Sequence, residues 1–409
     1  MNPADPPRRA FLASAFGAPA LAAFDADALA QDAGSPTAAE SDSLLTPGVA
    51  YLNTGSLGPC SRAVLNRTIE EWTAVETNPV AMVYGDGEAH KRTDRVRERA
   101  ALFLGCEADR LMITRSTTEA MNTVAQGMLL ERGDRVLTTD QEHHGGSVCW
   151  TYLGRRRGIE IDVVKIAPLD VDAKGIVDRF AAAIRPTTRV ISVSHVITTT
   201  GLRMPIAELS ALARSRGILC VVDGAQAIGN IAIDIKGLGC HAYAASGHKW
   251  LRGTKGTGFL FVSPDAGARI EPIQCEAGRR FVTNSIGVGS VPLVAGLGAA
   301  IDAMTAMGMA EVERHNLALR TRAWEGLQRM KRVKLASPPP GPHATAMVAF
   351  EIPAELDSVA VRLAISQKHG VVLKTVEKHW FNGLRISTHV FNTESDVDRA
   401  LAAIAAEVG

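Results

Sequence analysis

Two runs of the chain, residues 189–196 (RVISVSHV) and 217–224 (GILCVVDG), read as apolar strand cores, the second unbroken from Ile218 to Val222 and the first broken only by small or single polar residues. A strand with one wet face alternates polar and apolar residues, so an unbroken apolar run of this length belongs to a strand covered on both faces. Such strands are expected at 190–195 and 218–222, with others at 110–114, 135–139, 160–166, 242–245 and 258–262. Helical stretches lie between several of them, at 62–76, 90–104 and 116–130, the last opened by the capping candidates Ser116 and Thr117. Strands and helices alternating in this way specify a doubly wound α/β fold built on a mostly parallel sheet.

A long helical region at 292–330 follows, then a proline-rich hinge at 337–342 and a second α/β lobe with strands near 345–352, 371–375 and 383–389. A chain of 409 residues exceeds what one hydrophobic core usually holds. The expected division is a large domain at 61–330 with its connecting helix, and a small C-terminal domain at 331–409. Residues 31–60 are polar at first and read as a linker and N-terminal arm. Residues 1–30 differ from everything after them: Arg8 and Arg9 precede Ala-Phe-Leu, a weakly apolar stretch follows, and Ala28-Leu29-Ala30 forms a small-x-small cleavage pattern. The segment resembles a twin-arginine export signal, which makes a periplasmic or secreted protein the expectation and a cytoplasmic one the alternative. Its apolar stretch is shorter than the roughly 20 residues a bilayer span requires, so no stable membrane insertion is expected.

Charge and cysteine content remove several function classes. Lysine and arginine number 44 against 43 acidic residues, so the basic footprint of a nucleic-acid binder is missing. The six cysteines include no CxxC pair, which speaks against a zinc site or a disulfide scaffold.

The chemistry concentrates after the apolar runs. Asp223 stands just past one strand, and Ser246-Gly247-His248-Lys249-Trp250 just past another. In open parallel sheets ligands bind outside the carboxyl ends of the strands. Taken singly, an aspartate there is a turn or cap residue and a loop lysine a solvated charge. The joint pattern, VDGAQ then SGHKW then GTKGTGFLFV, resembles the class V aminotransferase family of fold-type I pyridoxal-phosphate enzymes, in the branch of isopenicillin N epimerases and cysteine desulfurases. The resemblance runs from Leu52-Asn53-Thr54-Gly55 to Arg385-Ile386-Ser387. It implies a seven-stranded sheet in the large domain, pyridoxal 5'-phosphate as cofactor, an amino-acid substrate and a homodimer with shared active sites.

Residue by residue, the resemblance makes Lys249 the cofactor-binding lysine and catalytic base. A desolvated amine beside other cations loses its proton readily, which suits that role. It pairs Asp223 with the pyridine nitrogen, gives Gln226 to the ring oxygen and stacks His143 of the Glu142-His143-His144 segment on the ring. Thr117 and Thr118, at a helix start where free N–H groups favour an anion, take the phosphate with Ser246 and His248. A plain capping box from Ser116 to Glu119 is compatible with this. The resemblance also brings Ser285 or Asn284 of a neighbouring subunit to the same phosphate in such a dimer. Arg385, with a fork suited to carboxylates, and Asn53 are assigned to substrate, while Tyr84, His379, Trp380 and His389 are further pocket candidates. Adjacent histidines raise a metal site, but they point apart in an extended chain and lack ligand spacing, so none is expected.

Two departures matter. Cysteine desulfurases carry a catalytic cysteine on a late loop, here residues 371–380, and that loop has none. Thr198 stands where the family has an asparagine, which removes one expected donor to the ring oxygen. The segments LNTGSLGP and Asn78-Pro79-Val80 resemble the epimerase branch. The expected reaction is deprotonation at the α carbon of an amino acid, leading to epimerisation or C–S β-elimination, with transamination as the alternative. A non-catalytic binding protein of the same fold is disfavoured by the intact Asp223, Gln226, His248 and Lys249.

Overall fold

In the computed structural model the described residues are 43–80, 88–266, 269–271, 273 and 289–409. The expected export segment and Tyr84, Cys275, Asn284 and Ser285 lie outside them. The chain enters through a short strand, β1 (Ala50–Tyr51), and helices α1 (Arg62–Thr77) and α2 (Glu88–Leu104). Seven strands then build the main sheet: β2 (Leu111–Thr114), β3 (Arg135–Thr139), β4 (Glu160–Val164), β5 (Thr188–Ser194), β6 (Leu219–Asp223), β7 (Ala242–Ser246) and β8 (Gly258–Val262). Their order is β2-β8-β7-β6-β5-β3-β4. All neighbours pair in parallel except β8, which runs against both β7 and β2.

The apolar runs follow from two cores. In β6, Cys220 and Val222 join one core with Phe180 and Ile191, while Leu219 and Val221 join another with Trp150 and Met121. Successive side chains leave a strand on opposite faces, so both faces of β6 are covered and no polar alternation survives. The edge strand β4 shows the contrast: Ile161 and Val163 are exposed. The helices that cover the sheet include α3 (Thr117–Gly127), α4 (His144–Arg157), α5 (Ala173–Ala183) and α6 (Ile206–Ser215), with a single turn α7 (Ile235–Leu238).

The helical region expected at 292–330 is two helices, α8 (Val291–Met307) and α9 (Met309–Gln328), set at 80° to each other. Gly308 between them adopts φ 78°, a left-handed conformation that glycine alone enters cheaply. Among the described residues no single helix is long and apolar enough to cross a membrane. The apolar side chains of α8, such as Leu297, Ile301 and Met304, are buried in the first core.

The C-terminal lobe holds β9 (Lys334–Leu335), β10 (Met347–Glu351), α10 (Ser358–His369), β11 (Val371–Val372), β12 (Lys374–Thr375), β13 (Gly383–Ser387) and α11 (Glu394–Val408). Its antiparallel sheet has the order β12-β13-β10-β9. The strand expected at 371–375 is divided at Leu373: β11 pairs in parallel with β1, and β12 pairs with β13. The N-terminal arm ends in a strand that pairs with the C-terminal lobe. Ala50 and Leu52 are fully buried in the C-terminal core beside Phe350, Ile365 and Ile386, and that core also takes Leu319, Ala323 and Leu327 from α9. The lobe thus draws residues from both sides of the boundary expected at 330.

If the arm is an integral strand, Leu52→Ala should cost about 2–5 kcal/mol, the usual cost of truncating a buried leucine. Chemical denaturation reads this directly, and a dispensable arm would give a change near zero.

Candidate active site

The parallel strands end on one edge, and the candidate residues stand there. Asp223 closes β6, Ser246 closes β7, and the β7–β8 connection carries His248 and Lys249. Lys249 is held from below by the arm: Gly58 N–H donates to His248 O at 2.9 Å, and a Cβ at Gly58 would stand 1.9 Å from Lys249 O. Lys249, Arg385, His143, Gln226, Thr198 and Lys374 line one cavity of about 200 Å³. Desolvation there lowers the Lys249 amine to about 8, with Arg385 and Lys374 adding to the shift and Asp223 opposing it. At pH 7 about a tenth of such an amine is unprotonated, against a few in ten thousand for an ordinary lysine.

Asp223 is buried, accepts from Ala225 N–H at 2.8 Å, and its own pKa is raised by desolvation, against the Ala225 N–H and Lys249. Two glycines let α4 approach Asp223 and Thr118. A Cβ at Gly146 would lie 2.3 Å from Asp223 Oδ2, and one at Gly145 would lie 2.7 Å from Thr118 Oγ1. His143 caps α4, its Nδ1 accepting from Gly145 N–H at 3.0 Å, so a neutral ring carries its proton on Nε2. Desolvation, then Lys249, holds its pKa down to about 4, so the ring is neutral at pH 7. Glu142, given no role from sequence, accepts from Thr139 Oγ1 at 2.7 Å and from Ser194 Oγ at 2.6 Å. Desolvation raises it to about 7, the Ser194 and Thr139 hydrogen bonds opposing and Asp223 adding.

At the start of α3, Thr117 N–H donates to Ser246 Oγ at 3.1 Å, and the two hydroxyls share a 2.7 Å hydrogen bond. Ser116 Oγ takes Glu119 N–H at 3.2 Å, but the Glu119 carboxylate turns to Arg115, so the reciprocal capping box is not closed. Thr118 N–H and its exposed hydroxyl have no partner among the described residues, and His248 Nδ1 is buried without one. A helix start with unspent donors, together with a buried imidazole nitrogen that has no partner, is a fit for a phosphate.

On the facing wall Arg385 is buried on β13. Its Nη1 donates to Thr198 O at 2.5 Å and Thr198 Oγ1 at 3.1 Å, while Nε has no partner. Burial lowers it to about 10, which leaves it cationic at neutral pH. A Cβ at Gly55 would meet Nη2 at 2.8 Å, so the arm approaches the guanidinium as only glycine allows. Gln226 is more committed than its expected role requires. Its amide donates to Gly55 O at 2.8 Å and Thr198 Oγ1 at 3.1 Å and accepts from Trp250 Nε1 at 2.8 Å. Thr198 Oγ1 accepts from both Gln226 and Arg385, which leaves its own hydroxyl hydrogen to donate. The threonine thus retains one donor of the kind its substitution for asparagine was expected to remove.

Asn53 does not line the cavity; Gly55 and Ser56 form that wall. Trp380 lines it, with His379 packed against its ring at 4.2 Å, whereas His389 is buried against Trp250 and bonded to Trp250 O at 2.6 Å. Lys374, Thr375 and Glu377 line the cavity without having been singled out, because nothing local in the sequence reveals which face of a two-residue strand turns inward.

An α/β sheet with a low-pKa lysine, a buried aspartate and an anion-ready helix start at one strand edge defines a fold-type I pyridoxal-phosphate enzyme. The chain belongs to the Aminotransferase class-V family, whose profile matches residues 51–400. It is 30% identical over 386 residues to isopenicillin N epimerase of Streptomyces clavuligerus, covering 90% of this chain and 96% of that one. To isopenicillin N epimerase of Amycolatopsis lactamdurans it is 32% identical over 385 residues, covering 88% and 95%. Its fold matches that of a C-DES variant with glycine covalently linked to the PLP cofactor, with a TM-score of 0.79 at 23% identity over 87% of this chain and 96% of that one. The cofactor of the family is pyridoxal 5'-phosphate, and the free donors and the poised amine described above fit it.

Two substitutions test this geometry. Gly146→Ala should weaken pyridoxal-phosphate binding at least tenfold while circular dichroism stays native, because the new methyl displaces the Asp223 carboxylate. Removing the charge that raises Lys249 should lower its pKa, so Asp223→Asn should move the midpoint of the pH dependence of cofactor capture below that of the wild type. An unmoved midpoint would contradict the coupling.

Proposed function

We propose that this enzyme removes the α proton of an amino-acid substrate, with Lys249 as the base, and that the outcome is epimerisation or β-elimination of a sulfur leaving group. The observation that carries this reading is the Lys249 amine, desolvated and held near 8 in a cavity that the cationic Arg385 also lines. Bound pyridoxal phosphate supplies a sink for the electron pair left on the α carbon. In this reading Asp223 holds a proton or positive charge at the ring nitrogen, and neutral His143 covers the ring and offers its Nε2 proton. Thr117, Thr118, Ser246 and His248 hold the phosphate, with Ser285 of a second copy as a further contributor. Thr198, with its hydroxyl hydrogen free, would donate to the ring oxygen, Gln226 would hold Thr198 in place for it, and Arg385 would fix the α-carboxylate with the α proton toward the amine.

Persulfide-forming desulfuration is disfavoured because loop 371–380 contains no cysteine and no described cysteine lines the cavity. The similarity to isopenicillin N epimerases over nine-tenths of the chain favours epimerisation. A homodimer is part of the proposal. Leu65, Ile69 and Trp72 recur at helical spacing on α1 and are 40%, 52% and 49% exposed, an apolar stripe suited to a second copy. Twin-arginine export of the folded, loaded enzyme is the localisation we propose from Arg8 and Arg9, and cell fractionation tests it.

Incubation of the holoenzyme with L-amino acids in deuterium oxide should place deuterium at the α carbon. Inversion identifies an epimerase, a keto acid with released thiol a lyase, and pyridoxamine phosphate a transaminase. Lys249→Ala should lower exchange by about 10²–10⁴-fold, the usual contribution of a positioned base. Arg385→Ala should raise KM strongly with cofactor retained, and an unchanged KM would contradict its role.

A further inference from the structure

Lys374 on β12 stands directly opposite Arg385 on β13 in the antiparallel register. Residues so opposed project from the same face with Cβ atoms about 5 Å apart, and like charges in that arrangement repel. Both line the cavity. Among the described residues Arg385 is held by Thr198 and Ser56 and by no carboxylate. The half-buried Lys374 amine has no hydrogen bond or ion pair among them, although the charge of Glu377 acts on it. Among the described residues Glu377 is the one carboxylate lining the cavity; it is exposed, and it acts on Lys374 through its charge without forming an ion pair with it. The indole of Trp380 donates to Asp140 O at 3.0 Å, which ties this wall to the main sheet.

The wall therefore presents two cations and one substrate α-carboxylate to meet them. An unmatched charge in a partly buried site is unfavourable, so the second cation calls for a second anion. We infer that Lys374 binds an anionic group on the side chain of the substrate, so that the substrate class is amino acids with a second acidic group. This rests on the proposed reading, in which Arg385 takes the α-carboxylate. Desolvation, and then Arg385, holds the Lys374 amine below the ordinary lysine value, and an anion seated there would offset both effects.

Charge-matched isosteric pairs, L-glutamate against L-glutamine and L-aspartate against L-asparagine, test it by calorimetric binding to the holoenzyme. In the wild type at least one acidic member should bind about 10- to 100-fold more tightly than its amide, the scale of one charge-assisted hydrogen bond. Lys374→Met should bring that ratio close to one, and Lys374→Arg should keep most of it, which separates lost charge from lost folding. A wild-type ratio near one in both pairs, or a ratio unchanged in Lys374→Met, would overturn the inference, the latter because Lys374 would then be sharing the α-carboxylate. Solvent-deuterium exchange followed in parallel keeps the two readings apart. An acid preference without exchange leaves the Lys374 site standing and removes the proposed reaction, and exchange without acid preference does the reverse.

Discussion

The site depends on taking one lysine out of water. An ordinary lysine amine holds its proton at neutral pH and can neither join an aldehyde nor accept a proton. Desolvation and two neighbouring cations bring Lys249 to about 8, with Asp223 as the counterweight that keeps it from falling further. The large sheet serves this end. Both its faces are covered, so its carboxyl edge is where polar groups from β6 and β7 emerge beside each other, and the arm at Gly58 closes over the lysine backbone.

The second lobe supplies the opposite charge requirement. Its sheet carries Arg385 and Lys374 to the cavity, and a two-residue strand from the arm ties that lobe to the segment holding Gly55 and Gly58. One stretch, residues 50–58, thus contributes a buried strand to the small lobe, a glycine beneath the guanidinium and a glycine over the lysine. Substitutions there couple stability to chemistry, because the same backbone serves both.

Much of this was legible in the sequence. The double covering of β6 erased its polar alternation and left only serines as polar breaks in β5, so the runs RVISVSHV and GILCVVDG announced a parallel sheet, and the residues after them marked its edge. Lys249, Asp223, His143 and Arg385 were readable because their motifs are local and ordered. What failed was non-local. Pairing of β1 with β11 joins residues more than 300 positions apart, and the opposition of Lys374 and Arg385 is a register that short strands do not reveal. The break at Gly308 was hidden by continuous helical composition on both sides. Thr198 was judged by the donor it replaced, whereas the two donors that bond to its oxygen leave its hydroxyl hydrogen free to donate.

The most direct test of the central claim is chemical. Borohydride reduction of the purified yellow holoenzyme followed by peptide mass analysis should find the cofactor fixed to Lys249, and Lys249→Ala should yield no such adduct. Attachment to Lys374, Lys255 or any other lysine, or protein that takes up no pyridoxal phosphate, would contradict it.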